Sequence, residues 1–313
     1  MKIAIIDLGT NTFNLLIAKT LPNKTFKTLL LDKVGVKLGK GGINKKTITS
    51  EAFNRGINAI EQINNTIQNN NVDKIIATAT SGIRSTQNGK ELVQVIENKF
   101  DIKIQIIDGN KEAEFIYAGV KQACKLNTDN ILILDIGGGS NEFIIANNKT
   151  IKWKHSFDLG MARLLDKFEP SDPITVKEIS KIEKYLEKQL ELLFNAVEAY
   201  KPKVLIGSSG TFDSFRAMLI SNTNYIEGFG DTSYKIDIEK YEKLHSKLLS
   251  STHSERMKMK GLEPVRVDMI VLASIFVNFT LKKFQLSDFY QSNYAIKEGV
   301  IAEFLDTKSI IIQ

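Results

Sequence analysis

Two stretches of the chain carry the same hydrophobic pattern: an apolar run, a short glycine-bearing polar turn, and a second apolar run. The clearer copy begins with Ile131-Leu132-Ile133-Leu134, turns through Asp135-Ile136-Gly137-Gly138-Gly139-Ser140-Asn141-Glu142, and leaves through Phe143-Ile144-Ile145-Ala146. Continuous apolar runs predict strands buried on both faces, and the glycines let bare backbone approach a bulky group. Lys2 to Ala18 overlays Asn130 to Ala146 without a gap, so that Asp7 meets Asp135, Gly9 meets Gly137 and Thr12 meets Ser140. The repeat predicts two related lobes, each presenting one hairpin to the space between them.

Helical spacing fills the intervals. Phe53, Ile57, Ile60, Ile63 and Ile67 follow Ser50, a good N-cap, and predict a helix that ends at Asn69-Asn70-Asn71. Lys74–Ala79 reads as a buried strand entering the turn Thr80-Ser81-Gly82-Ile83-Arg84. A helix over Gly89–Phe100 and an alternating strand over Ile102–Ile107 come next. Asn110 can cap a helix running to Ala123, with Glu112 in its first turn. Val176 through Val197 mark one long amphipathic helix, Lys203–Ile206 a third strand, and Asp237–Ser250 and Val265–Lys282 two further helices, the second apolar on nearly all faces. Ser221–Thr232 reads as a polar loop. No Gly/Ser-rich or Pro-rich linker stands out, so lobes over 1–118 and 119–313 are expected to join by short hinges near Tyr117–Lys121.

Composition narrows the classes. Apolar residues at 42% and charged residues at 25% of 313 are ordinary for a soluble globular chain. A formal net charge of +6 favours a polyanionic substrate only weakly, and no Lys/Arg tract with interleaved aromatics predicts a nucleic-acid module. The single Cys124 excludes an intrachain disulfide, reads as a buried structural thiol and fits a reducing cytoplasm. Asp7 interrupts the N-terminal apolar run, and no stretch has the length of a membrane span, so no membrane association is expected. His155 shares the phase of neighbouring aromatics and reads as a core residue, and His245 and His253 lack metal-like spacing, so no zinc site is assigned.

Four features carry candidate chemistry. Amides on the two hairpin turns point at an anion, and the carboxylates of Asp135 and Glu142 flank the second turn as a metal-bridged phosphate requires. The turn Gly207-Ser208-Ser209-Gly210-Thr211 at a strand end is either a third anion site or a plain tight turn. Lys33 to Lys46 holds five lysines and four glycines, and is either a solvated surface loop or a phosphate-facing one. Spacing alone makes Glu112 a carboxylate complementing its helix dipole.

The duplicated hairpins and mixed strands and helices look like the actin-like, ribonuclease H-like duplicated superfold. Within it the chain resembles the exopolyphosphatase and guanosine pentaphosphate phosphatase (Ppx/GppA) family. The motifs run in order: Asp7 to Phe13, Ala79 to Arg84, Gly109 to Ala113, Asp135 to Glu142, Leu159 to Leu164, Gly207 to Thr211, and Lys297-Glu298-Gly299. The resemblance covers essentially the whole chain and is to the short, two-lobe form. It implies a hydrolase that releases terminal phosphate from polyphosphate or guanosine pentaphosphate, with Glu112 activating water and Arg84 meeting the transferring group. Gly9, Thr10, Asn11, Thr12, Gly137, Gly138, Gly139, Ser140, Gly210 and Thr211 would hold phosphate, with Lys37, Arg163 and Lys297 beside them. Asp7, Asp135 and Glu142 would hold Mg²⁺, directly or through water. Lys37, Lys111, Glu114 and Lys297 depart from the family's usual residues. The alternatives are a polyphosphate:ADP phosphotransferase and a non-catalytic guanosine tetra- or pentaphosphate sensor. The apolar C-terminal helices leave room for a homodimer, with no interface legible.

Overall fold

The computed structural model describes residues 1–221 and 232–311, without the side chains from 308 onward. The polar loop expected over Ser221–Thr232 therefore lies almost wholly outside the described residues. Strands β1 (Lys2–Leu8), β2 (Thr12–Thr20), β3 (Phe26–Gly35), β4 (Lys74–Ala79) and β5 (Ile104–Ile106) form one sheet in the order β3-β2-β1-β4-β5. Between them run α1 (Ser50–Asn69), the single turn α2 (Ser81–Arg84) and α3 (Gly89–Phe100), and α4 (Gly109–Ala123) then carries the chain onward. The second lobe follows as β6 (Ile131–Ile136), β7 (Asn141–Ala146), β8 (Ile151–Phe157), α5 (Met161–Phe168), α6 (Val176–Gln189), α7 (Glu191–Tyr200), β9 (Val204–Ser208) and α8 (Gly210–Ile220). It closes with β10 (Ser233–Ile236), α9 (Ile238–Ser250), α10 (His253–Arg256), α11 (Ile270–Lys283), β11 (Asp288–Ser292) and α12 (Ile296–Ile311).

The second sheet has the order β10-β11-β9-β6-β7-β8, and its portion β8-β7-β6-β9-β11 repeats β3-β2-β1-β4-β5. Strand senses repeat too: β1 and β6 are antiparallel to the strand that follows each and parallel to β4 and β9 respectively. This is the duplicated two-lobe, actin-like α/β fold that the paired hairpins imply.

Period-two alternation explains where the core sits. Ala4, Ile6 and Leu8 point from β1 to the α1 and α3 side, where Ala52, Ile60, Leu92 and Ile96 complete one core. Ile3 and Ile5 point the other way, onto Ile116 and Val120 of α4 and Val300 and Ile301 of α12. Ile133 of β6 and Ile144 of β7 join that same cluster, so the α4–α12 pair is wedged between the two sheets. A Cβ added to Gly119 would lie 2.2 Å from the Ala295 carbonyl oxygen, and one added to Gly299 would lie 1.8 Å from that of Phe115. Only glycine lets these two backbones touch.

Several local expectations are corrected. Thr49, not Ser50, caps α1, because its backbone is extended and its hydroxyl accepts the Ala52 N–H. Asp108 rather than Asn110 caps α4, accepting the Lys111 N–H at 2.8 Å; Asn110 is already inside the first turn. The single helix expected over 176–197 breaks at Leu190, whose φ of −99° and ψ of 18° leave the helical region. One non-helical residue barely changes the phase, so the apolar spacing continues across the break. Pro264 starts a 3₁₀ turn over Pro264–Arg266, and α11 begins only at Ile270. The strand expected over Ile102–Ile107 pairs only over Ile104–Ile106. Residues 117–121, where hinges are expected, lie inside the uninterrupted α4.

The lysine- and glycine-rich segment is an ordered connection. Lys33 still belongs to β3, Leu38 and Ile43 are buried, and Arg55 donates to the carbonyls of Val36 and Lys37 at 2.9 and 3.1 Å. Cys124 is buried, and burial pushes its thiol up to about 11. His155 packs against Trp153 and Phe157, and burial lowers its pKa. Among the described residues no helix is long and apolar enough to cross a membrane.

Candidate active site

The two hairpin turns close identically. Gly9 N–H donates to Thr12 O and Gly137 N–H to Ser140 O, both at 3.1 Å. Their carbonyls are tied back from outside the hairpins. Asn11 O accepts the N–H groups of Val36 and Lys37 at 2.8 and 3.0 Å, and Thr10 O accepts Leu38 N–H at 2.7 Å. In the second lobe Gly137 O and Gly138 O accept Met161 and Ala162 N–H at 2.9 Å, while Arg163 Nε reaches Gly139 O at 2.7 Å. With the carbonyls occupied, the amides of Thr10, Asn11, Gly138, Gly139 and Ser140 donate to no acceptor among the described residues. Such a row of unpaired amides is an anion cradle.

The turns also abut one another. A Cβ on Gly139 would sit 2.6 Å from Ser81 Oγ and 2.7 Å from Thr10 Oγ1, and one on Gly138 would meet the Asn11 amide at 2.5 Å. Ser81 Oγ is buried there without a hydrogen-bond partner. The three strand-end turns thus meet at one place.

Four carboxylates surround it: Asp7, Asp135, Glu142 and Glu112, all buried. Asp135 accepts from Ser208 Oγ at 2.7 Å, Glu142 from Ser156 Oγ at 2.6 Å, and Asp7 Oδ2 from Asn14 Nδ2 at 3.0 Å. Arg84 Nη1 donates to Glu112 Oε2 and to Ile107 O, each at 2.9 Å. The α4 N-terminus comes this close to β8 because Gly109 has no side chain; a Cβ there would lie 2.3 Å from that of Ser156. Burial, then the Glu142 charge, push Glu112 well above the usual carboxylate range, against the pull of Arg84. Burial and Glu142 likewise raise Asp135 well above its ordinary value. Burial raises Asp7 and Glu142, opposed chiefly by Lys297 at the first and by Ser156 at the second. Packing several acids out of water disfavours their ionised forms.

Other sequence-predicted residues take different places. Gly210 and Thr211 open α8 at the end of β9, where Gly210 lies directly against the Arg266 guanidinium. Lys37 Nζ is paired with Asp268 across the cleft at 2.8 Å. Arg163 bonds Gly139 O, Ile43 O and Ser85 Oγ, so its guanidinium ties the lobes together. Lys111 pairs with Glu303 and Glu114 with Lys154, away from the carboxylate group.

A cavity of about 220 Å³ adjoins Asp7 and Asp135 and is also walled by Asp213, Arg266, Lys297 and Glu298. Burial works against the charge of Lys297, but Glu298, Asp7, Asp213 and Asp135 outweigh it and raise its pKa. Asp213, Arg266 and Glu298 were not singled out from the sequence. A signal for Glu298 existed, since Lys297-Glu298-Gly299 opens α12 much as Lys111-Glu112-Ala113 opens α4.

The donor set fits a hard divalent cation. All the donors are carboxylate oxygens, and Asp7 Oδ1 is buried with no hydrogen-bond partner. Among the described residues no three His, Cys, Asp or Glu side chains form a ready-made cage. Carboxylate oxygens are the donors that Mg²⁺ takes, one or two at a time, together with waters and substrate phosphate.

The Ppx/GppA phosphatase family model matches residues 16–308. The chain belongs to the Ppx/GppA phosphatase family. The crystal structure of an exopolyphosphatase from Cytophaga hutchinsonii is 37% identical and superposes with a TM-score of 0.95 over 98% of each chain. The Aquifex aeolicus family member, at 21% identity and a TM-score of 0.79 over 98% of each chain, shares the fold. A bifunctional 3-dehydroquinate synthase/phosphatase of Fusobacterium nucleatum is 29% identical over 97% of this chain, which spans 47% of that longer protein.

Proposed function

We propose that this family member hydrolyses a terminal phosphoanhydride of inorganic polyphosphate, of guanosine pentaphosphate, or of both. The observation that carries the reading is Glu112, a buried carboxylate held by Arg84 at 2.9 Å beside a cradle of unpaired turn amides. The amides of Gly9–Thr12 and Gly137–Ser140, with Gly210 and Thr211 at a helix start, bind the phosphoryl oxygens. Lys37 and Arg163 border the same cleft, but Asp268 holds the first and the acceptors of Gly139, Ile43 and Ser85 hold the second, so a neighbouring phosphate would have to compete with those partners.

Arg84 fixes the Glu112 carboxylate through Nη1, and its Nη2 has no partner among the described residues and is available to the transferring group. Glu112 accepts a proton from the attacking water as the new P–O bond forms in line with the breaking bridge. Its raised pKa makes it a stronger base than an exposed glutamate. Mg²⁺ held by Asp7, Asp135 and Glu142 would supply charge neutralisation on the phosphate oxygens.

The deciding experiment measures phosphate release from polyphosphate and from guanosine pentaphosphate, with and without Mg²⁺ and ADP. Mg²⁺-dependent release from either supports the reading. Failure on both with folded protein and metal present overturns it. Transfer to ADP in place of release would mark a phosphotransferase, and tight binding of guanosine pentaphosphate without turnover a sensor.

A further inference from the structure

The cavity of about 220 Å³ beside Asp7 and Asp135 holds a cation of the chain's own. Lys297, the second residue of α12, walls it together with Asp213 and Glu298. Each of these carboxylates already has a neutral donor. Asn14 donates to Asp7 at 3.0 Å, Ser208 to Asp135 at 2.7 Å, Gln291 to Asp213 at 2.8 Å, and the Ala295 N–H to Glu298 at 2.8 Å. The other cations on the wall, Lys33 and Arg266, both pair with Glu263. The Lys297 ammonium makes no hydrogen bond or ion pair among the described residues. Burial disfavours its charge, and Glu298, Asp7, Asp213 and Asp135 outweigh that through their fields.

An ammonium spread over several acids in this way has two effects. It lowers the cost of crowding those acids out of water, and it makes them a poorer site for any further cation, because charges in a buried cavity interact over several ångströms. Its three unused donors remain for an acceptor that enters the cavity, and a phosphate oxygen is such an acceptor. Its backbone is also held in place. Lys297 lies two residues before Gly299, which packs on the Phe115 carbonyl of α4.

We propose that Lys297 is the resident cation of the cleft: its ammonium does the work of a second divalent ion beside Asp7 and Asp135, limits the carboxylate group to one Mg²⁺, and meets the phosphate oxygens of the substrate. The inference rests on Asp7, Asp135 and Glu142 being the Mg²⁺ site and on the substrate being a polyphosphate anion.

Two calorimetric titrations of the full chain test it, one with Mg²⁺ alone and one with inorganic triphosphate in metal-free buffer. Lys297→Met keeps the length of the side chain and removes its charge. The wild type should take one equivalent of Mg²⁺. The variant should bind Mg²⁺ at least about tenfold more tightly, or take a second equivalent, and bind triphosphate at least about tenfold more weakly. Lys297→Arg should stay within about threefold of the wild type in both titrations. A merely structural lysine would weaken both ligands together when replaced, so shifts of opposite sign carry the proposal. Two equivalents of Mg²⁺ on the wild type, no Mg²⁺ bound by either protein, Mg²⁺ affinity unchanged or lowered in Lys297→Met, or triphosphate binding unchanged overturns it. So does a Lys297→Arg protein that behaves like Lys297→Met. Lys297→Gln carries the same expectations if the Met variant fails to fold. Mg²⁺-dependent phosphate release by the wild type without the opposite shifts would leave the hydrolase reading standing and remove this role of Lys297; opposite shifts without hydrolysis of polyphosphate or guanosine pentaphosphate would do the reverse.

Discussion

At the scale of single residues, the proposed mechanism makes Glu112 the group that separates a phosphate-releasing protein from a phosphate-binding one. Glu112→Gln keeps the shape and the Arg84 contact but removes the proton acceptor, so kcat should fall by about 10²–10⁴ while circular dichroism stays unchanged. Near-normal turnover would remove Glu112 from the mechanism. The same substitution tests its electrostatics. Burial and Glu142 hold Glu112 well above the ordinary value of 4.5, so over the interval between the two the folded protein keeps a proton that the unfolded chain releases. That contribution to stability is fully present below the unfolded pKa and is lost as pH rises through the folded one. In metal-free buffer, the Tm of Glu112→Gln should therefore gain on the wild type as pH rises above about 4.5. A Tm difference independent of pH would show that Glu112 ionises as it does in the unfolded chain.

At the scale of elements, the crossing of α4 and α12 connects the core to the site. Gly119 and Gly299 let the two backbones touch, and Lys297 and Glu298 wall the cleft from the same turn of α12. Gly299→Ala places a methyl group within 1.8 Å of the Phe115 carbonyl oxygen, a backbone atom that moves only with its helix. The expected loss is about 1–3 kcal/mol in urea unfolding, with a higher KM for substrate because the α12 N-terminus shifts. A stability loss with unchanged KM would separate the crossing from the site. The hairpins were legible in the sequence because buried strands and glycine turns leave an ungapped pattern, and Asp7, Asp135 and Glu142 came with them. Glu112 needed family resemblance, since its spacing fits an ordinary helix start equally well. Caps and breaks such as Thr49, Asp108 and Leu190 depend on the backbone angles of one residue, which periodicity does not encode. Arg266 and Asp213 reach the cavity through tertiary packing, and no local pattern marks them.

At the scale of the molecule, the lobes are two by topology but share a core. The cluster around α4 and α12 draws Ile3, Ile5 and Leu16 from the first sheet and Ile131, Ile133, Ile144 and Ile206 from the second. Unfolding either sheet alone would expose its half of that cluster and both wedged helices, at about 25 cal/mol for each Å² of apolar surface. Polar ties add to the coupling at the cleft mouth, where Lys33 meets Glu263, Lys37 meets Asp268 and Arg163 reaches Ile43 and Ser85. Salt weakens the exposed pairs but leaves the apolar wedge intact. Scanning calorimetry should accordingly give one transition, with calorimetric and van't Hoff enthalpies in agreement at both low and high ionic strength. Two resolved transitions would mean that the lobes melt independently and that the wedge does not couple them. One transition that splits only at high salt would assign the coupling to the ion pairs at the mouth. In the expected outcome the α4–α12 wedge couples the two lobes, and the same two helices carry Glu112 and Glu298 near their N-termini.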